Sequence, residues 1–146
     1  MGMPDALSSQ SASCAEVTAV ILTYNEAAHV QACIESLAWA DRVVVFDSFS
    51  QDETVALAQA AGAETAQSAF ENYAQQRNAA LAHLCTDWVF FVDADERGTP
   101  ELAAEIRRVV AARPEMGWYV PRHNYLFGKL TLGAGWYPDF QLRLFR

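Results

Sequence analysis

At 146 residues the chain is long enough for one domain with its own core, and 52% hydrophobic against 19% charged residues exclude a disordered protein. A net charge of -8 disfavours nucleic acid as a partner, because phosphates are repelled unless a cation or a basic cluster intervenes. Cys14, Cys33 and Cys85 are odd in number and widely spaced, so neither a disulfide framework nor a zinc site is expected.

Met1 to Ala15 is rich in Ser, Ala and Gln and reads as a disordered leader, with residues 16–146 as the folded domain. No apolar run reaches the roughly 18 residues of a membrane span, and no basic and apolar secretory signal opens the chain. A reducing cytoplasm is the simplest setting, with Cys33 and Cys85 as small core residues. Val17 to Tyr24 is apolar and β-branched and predicts a central strand ending in Asn25-Glu26. A helix over about 27–37 follows, with Val30, Cys33, Ile34 and Leu37 on one stripe. Arg42 to Phe46 predicts a second strand, running into Asp47.

Ser50 and Glu53 have the spacing of a capping box, so a helix is expected from just after Ser50 to Ala61, stopped by Gly62. Ala63 to Gln67 predicts a short edge strand, and a third helix over about 72–84 should turn Tyr73, Ala80, Leu81 and Leu84 inward. Trp88-Val89-Phe90-Phe91-Val92 is a strand buried on both faces that discharges into Asp93-Ala94-Asp95-Glu96. Thr99-Pro100 caps a helix with Leu102, Ile106, Val109 and Val110 on its apolar side, ending before Pro114. Beyond Gly117 the texture becomes aromatic and Gly-rich. Trp118 to Val120 predicts a strand, and Gln141 to Phe145 alternates polar with apolar, as a half-exposed, antiparallel strand would. Because the sequence stops at Arg146 within that last strand, an incomplete C-terminus is expected.

Alternating strands and helices specify an α/β domain with a mainly parallel sheet. Parallel strands share one direction, so Thr23-Tyr24-Asn25-Glu26, Asp47-Ser48 and Asp93-Ala94-Asp95 should meet along one rim, where such sheets bind ligands. Asp93 and Asp95, one residue apart, stay ionised in a crevice only if something positive joins them. Oxygen-only donors at a strand end suit Mg or Mn. The same tripeptide read alone is equally a solvated acidic turn.

Taken together, Thr23-Tyr24-Asn25-Glu26, Val45 to Thr54, Gln76-Arg77-Asn78 and Phe91 to Glu96 resemble the inverting family 2 glycosyltransferases of GT-A fold. The closing Gly135 to Arg146 is similar to the branch that includes lipopolysaccharide core glucosyltransferases. The resemblance covers Val17 to Arg146 and implies a GT-A three-layer sandwich. It also implies transfer of a hexose, glucose first, from a UDP-sugar to a glycan or lipid-linked acceptor of the bacterial surface, with peripheral membrane association through that acceptor. Thr23, Tyr24, Glu26, Asp47, Arg77 and Asp93 would form the nucleotide site. Within it Tyr24 would lie against the base, Asp47 would accept from uracil, and Arg77 would lie near the diphosphate. Asp95 would ligate the Mg or Mn ion. Family members often carry Lys where Arg77 stands, which keeps the charge and changes the geometry.

Breaking a sugar–phosphate bond leaves charge on the diphosphate, and the acceptor hydroxyl must lose a proton to a carboxylate on the opposite face. Asp139 is the candidate base, with a turn-shaping role for Pro138-Asp139 as the equal alternative. Glu26 and Glu96 fit caps or supporting groups better than ligands. Two other readings stay open at this point. One is a nucleotide-sugar-binding module without turnover. The other is a receiver-type signalling domain, disfavoured because the chain's sole lysine is Lys129.

Overall fold

The computed structural model describes residues 15–112, 117–126, 129–132 and 139–146. Eight strands and four helices follow in chain order: β1 (Ala15–Thr23), α1 (Val30–Ser36), β2 (Arg42–Asp47), α2 (Thr54–Ala60), β3 (Glu64–Gln67), α3 (Tyr73–His83), β4 (Thr86–Asp93), α4 (Pro100–Ala112), β5 (Gly117–Arg122), β6 (Asn124–Leu126), β7 (Lys129–Thr131) and β8 (Asp139–Phe145) among the described residues. Ala15, expected in the leader, already belongs to β1; residues 1–14, and with them the rest of that leader, lie outside the described residues.

Six strands form the main sheet in the order β3-β2-β1-β4-β8-β5, and β6 pairs with β7 in a separate hairpin. β1 runs parallel to both β2 and β4, and β2 parallel to β3, while β8 is antiparallel to both β4 and β5. The apolar runs explain the centre. β1 and β4 are covered on both faces, which is why Val17, Ala19 and Ile21 enter one cluster and Val20 another. The first cluster takes in Val30, Cys33 and Ile34 of α1, Ala58 of α2 and Ile106, Val109 and Val110 of α4, all on one side of the sheet. On the other side Val20, Phe46, Val89 and Phe91 meet Ala80 of α3. The chain steps outward from β1 to β3 and then returns to β4. A crossover that keeps its hand while reversing direction must switch faces, which places α3 opposite α1 and α2. The result is a three-layer α/β/α sandwich.

The helix ends follow local chemistry. Thr99 accepts from the Leu102 amide at 3.1 Å and Asn72 from the Gln75 amide at 2.9 Å, each satisfying an orphan donor of the first turn. Gly62, at φ +87°, stops α2 as expected, with its amide bonded to the Gln59 carbonyl at 3.0 Å.

Other expectations are corrected. Ser50 does not cap α2, which starts at Thr54, because the Ser50 hydroxyl is taken up by Asp47. α3 turns Gln76 and Ala80 inward, while Tyr73 and Leu81 are exposed, since a hydrogen bond from Gln76 to Ser48 fixes the helix's rotation. Cys85 lies exposed in the connection before β4 rather than in the core, and it is disulfide-bonded, against the expectation that the cysteines form no disulfide. Cys33 is free and buried as expected; burial pushes its thiol up to about 12, so it stays protonated and inert.

Candidate functional site

Register sets the rim. Thr23 stands opposite Asp47 across β1 and β2, and Leu22 opposite Asp93 across β1 and β4, so three carboxyl-terminal strand ends finish at one level. The sheet changes its direction of growth between β1 and β4, the place where open α/β sheets leave a crevice.

Asp47 is fully buried and held by four donors: the Thr23 hydroxyl at 2.7 Å, the Ser50 amide at 2.8 Å, the Ser50 hydroxyl at 2.5 Å and the Gln67 amide nitrogen at 3.2 Å. Burial pushes this carboxyl up, but the bonds from Ser50, Thr23 and Gln67 together outweigh it and hold the group below its ordinary value.

The same residues latch two loops together. The Asn25 amide donates to Ser50 Oγ at 2.8 Å, the Gln51 amide to Asn25 Oδ1 at 2.8 Å, the Glu26 amide to Thr54 Oγ1 at 2.8 Å and the Ala27 amide to Asp52 Oδ2 at 3.2 Å. Asn25 and Phe49 adopt left-handed backbone, at φ 53° and 58°. Asn tolerates that region and Phe does so at a cost, the kind of strain that accompanies a functional loop. Tyr24 and Phe49 are each 55% exposed beside adjacent strand tips. Sequence reasoning chose Tyr24 and missed Phe49, because no periodicity marks a positive φ at a phenylalanine. Glu26 contributes backbone, its carbonyl accepting from His29 and Val30 as α1 begins.

At the end of β4 the Asp93 amide donates to Glu96 Oε2 at 2.8 Å, and the Glu96 amide returns to the Asp93 carbonyl at 2.9 Å. This tight turn sits on α1: the Gly98 amide donates to Ser36 Oγ at 3.0 Å, and a Cβ at Gly98 would lie 3.1 Å from the Ser36 carbonyl oxygen. Asp95 is exposed and has no hydrogen bond or ion pair among the described residues.

Residues from the far side of the sheet join this turn. Arg143 Nη2 of β8 donates to Asp93 Oδ2 at 3.1 Å and to Glu96 Oε1 at 2.8 Å. Arg122 of β5 reaches Glu96 Oε1 at 3.4 Å and pairs with Asp139 through Nε at 2.9 Å and through Nη2. Asp139, Arg122, Glu96, Arg143 and Asp93 therefore form one chain of alternating charge. Hydrogen bonds from Gln141 and then Arg122 hold the Asp139 carboxyl below its ordinary value. In this arrangement it is a neutralised carboxylate rather than a ready proton acceptor.

Arg77 stands apart. Its guanidinium lies 5.8 Å from the centre of the Phe91 ring, on the α3 side, and the neighbouring Gln76 donates to Ser48 Oγ at 2.8 Å. Of the seven expected nucleotide and metal residues, the structure brings Thr23, Tyr24, Glu26, Asp47, Asp93 and Asp95 to one rim, with Arg77 on the flank. An apolar groove between α4 and β5, lined by Leu102, Ile106, Val109, Trp118, Val120 and Leu144, includes none of them.

Among the described residues no three acidic, His or Cys side chains converge into a metal cage. The donor chemistry nevertheless fits a hard divalent ion. Asp93 and the exposed Asp95 are carboxylate donors at the end of β4, and Mg or Mn ions bind by one or two carboxylates completed by water and substrate phosphates.

An α/β domain with a mainly parallel sheet and an acidic strand-end rim is thus the class that fold and site define. Residues 18–122 match glycosyl transferase family 2, and the chain belongs to that family. It is 37% identical over 118 residues to the lipopolysaccharide core biosynthesis glycosyltransferase LpsC of Rhizobium meliloti (strain 1021), a match covering 77% of this chain and 44% of that protein. It is 36% identical over 99 residues to an uncharacterized glycosyltransferase of Rickettsia bellii (strain RML369-C), covering 67% of this chain and 34% of the other. The chain thus spans less than half the length of these relatives.

Among solved structures, glucosyl-3-phosphoglycerate synthase from Mycobacterium tuberculosis in complex with UDP superposes with a TM-score of 0.61 at 21% identity, over 74% of this chain and 46% of that one. Mannosyl-3-phosphoglycerate synthase from Rubrobacter xylanophilus gives 0.59 at 26% identity, over 68% and 38%. The fold is GT-A, and no helix among the described residues is long and apolar enough to cross a membrane.

Proposed function

We propose that this domain binds a UDP-sugar together with a Mg or Mn ion and serves an inverting hexosyl transfer, glucose first, to a lipopolysaccharide core or other surface-glycan acceptor. One observation carries the reading: the strand ends that bear Asp47, Asp93 and Asp95 finish at one level, beside the sheet's change of direction. The family and the resemblance to a lipopolysaccharide core glycosyltransferase support the reaction class. A structural neighbour bearing UDP and Mn2+ supports the donor and the ion.

In this reading Tyr24 lies against the base, with Phe49 available beside it. Asp47 accepts from the uracil N–H in place of Gln67, whose bond is the longest of its four at 3.2 Å. Thr23 and Glu26 keep the loop in register, Arg77 flanks the diphosphate, and Asp93 and Asp95 face the ion. When bound, the ion supplies charge neutralisation on the departing diphosphate. Asp139 takes the acceptor's proton once Arg122 lets go of it. The acceptor class would hold the protein at the inner membrane surface from the cytoplasmic side.

Calorimetry with UDP in the presence and absence of Mn tests the site. The expectation is Mn-dependent binding that an Asp95→Ala variant weakens at least tenfold, about 1.4 kcal/mol; undiminished metal dependence in that variant would remove Asp95 from the site. A second reading, a donor-binding module without turnover, is favoured by the Arg122–Asp139 pair, which leaves the candidate base neutralised. Transfer and hydrolysis assays with UDP-glucose and Mn separate the two, since binding without turnover selects the module.

A further inference from the structure

Arg143 is the least expected residue of the rim. It is 5% exposed, yet it sits in a strand whose alternation would turn it to solvent. The register explains how it comes inside: Trp118 pairs with Leu144 and Tyr119 with Leu142, so Arg143 is the extra residue of a β-bulge between β5 and β8. Bulges re-aim side chains, and this one carries a guanidinium under the acidic turn. Its Nη2 serves Asp93 and Glu96 together, while its Nη1 is buried with no hydrogen-bond partner among the described residues. A buried cation with an unused donor is poorly explained as a source of stability alone, because an apolar side chain would fill the same space without that penalty.

We propose that Arg143 is a positioning residue of the donor site. By neutralising Asp93 and Glu96 on one guanidinium, it leaves Asp95 as the acid of this turn with no cation partner among the described residues, and so fixes where the divalent ion docks. Asp93, Asp95 and Glu96 lie within four residues of one another. Without Arg143 they would form an over-charged cluster that takes up a divalent ion by itself and repels the diphosphate meant to share it. Arg122 supports the arrangement from β5 by holding the same Glu96 oxygen. This inference rests on the donor-site reading above.

Calorimetry with Mn alone, and with UDP in saturating Mn, on the wild-type chain and on Arg143→Met and Arg143→Lys variants tests it, with circular dichroism reporting the fold. The expected result is that Arg143→Met binds Mn alone several-fold more tightly and UDP at least tenfold more weakly, with Arg143→Lys between it and wild type. A merely structural role would lower the unfolding temperature and leave both affinities of the folded protein unchanged; that result overturns the proposal. If Arg143→Met does not fold, the paired variant Arg143→Met with Glu96→Gln, which removes the cation and one partner together, is read against Glu96→Gln alone by the same two titrations. Wild-type protein that binds no UDP even with Mn would overturn the donor-site reading, and this inference with it.

Discussion

Asp47 shows how far a single side chain can organise a site. Four donors converge on it from β1, β3 and the loop after β2, and the group's proton affinity falls as a result. A carboxyl whose folded pKa is depressed contributes stability above its unfolded pKa and loses it as pH falls through the folded value. Acid unfolding should therefore draw partly on Asp47. Between neutral pH and about pH 3, the wild-type chain should lose more stability in urea titrations than an Asp47→Asn variant. At neutral pH that variant should be weaker by about 1–3 kcal/mol, because an amide has one acceptor oxygen where the carboxylate has two, so the bonds from the Thr23 and Ser50 hydroxyls must reverse or be lost. Equal pH slopes for the two proteins would mean that the bonds to Ser50 and Thr23 carry no net stabilisation of the charged form.

At the scale of elements, the two loops after β1 and β2 behave as one unit because side chains of each satisfy backbone amides of the other. Asn25 is the pivot, being left-handed and bonded through Oδ1 to the Gln51 amide. Asn25→Ala should cost about 1–2 kcal/mol from the backbone conformation alone, plus the lost bond. Asn25→Gly loses only the bond and should be the milder change in thermal melts. Both should weaken UDP binding, since Tyr24 and Phe49 depend on the latch for their spacing. How much of this was legible from the sequence differs by element. Val17 to Leu22, Val43 to Phe46 and Trp88 to Val92 are apolar runs that have no other home than a covered sheet, and their strands appear where expected. The Ser50/Glu53 spacing misled because a buried carboxylate competes for the hydroxyl more strongly than a helix amide does. α3 misled because the side chain that orients it, Gln76, is polar, and a search for apolar stripes passes over it.

For the whole molecule, the rim is completed by strands distant in sequence. The acidic turn after β4 was legible as chemistry, whereas its cations were not: nothing local says that β8 inserts between β4 and β5, or that a bulge turns Arg143 inward. Leu144 is the apolar anchor of that insertion, 1% exposed in the main core, and it follows Arg143 directly. Leu144→Ala should cost about 2–5 kcal/mol by cavity formation, a fall in Tm of roughly 5–15 °C for a chain of this size. Val110→Ala, in the same core but on α4, should also lower the Tm. The two variants should part in function. Loosening β8 releases Arg143 from Asp93 and Glu96, so Leu144→Ala should weaken Mn-dependent UDP binding at temperatures where it is still folded, and Val110→Ala should leave that affinity alone. If the two lose stability and keep equal affinity for UDP, the antiparallel strand is a cover for the core and the rim is complete without it.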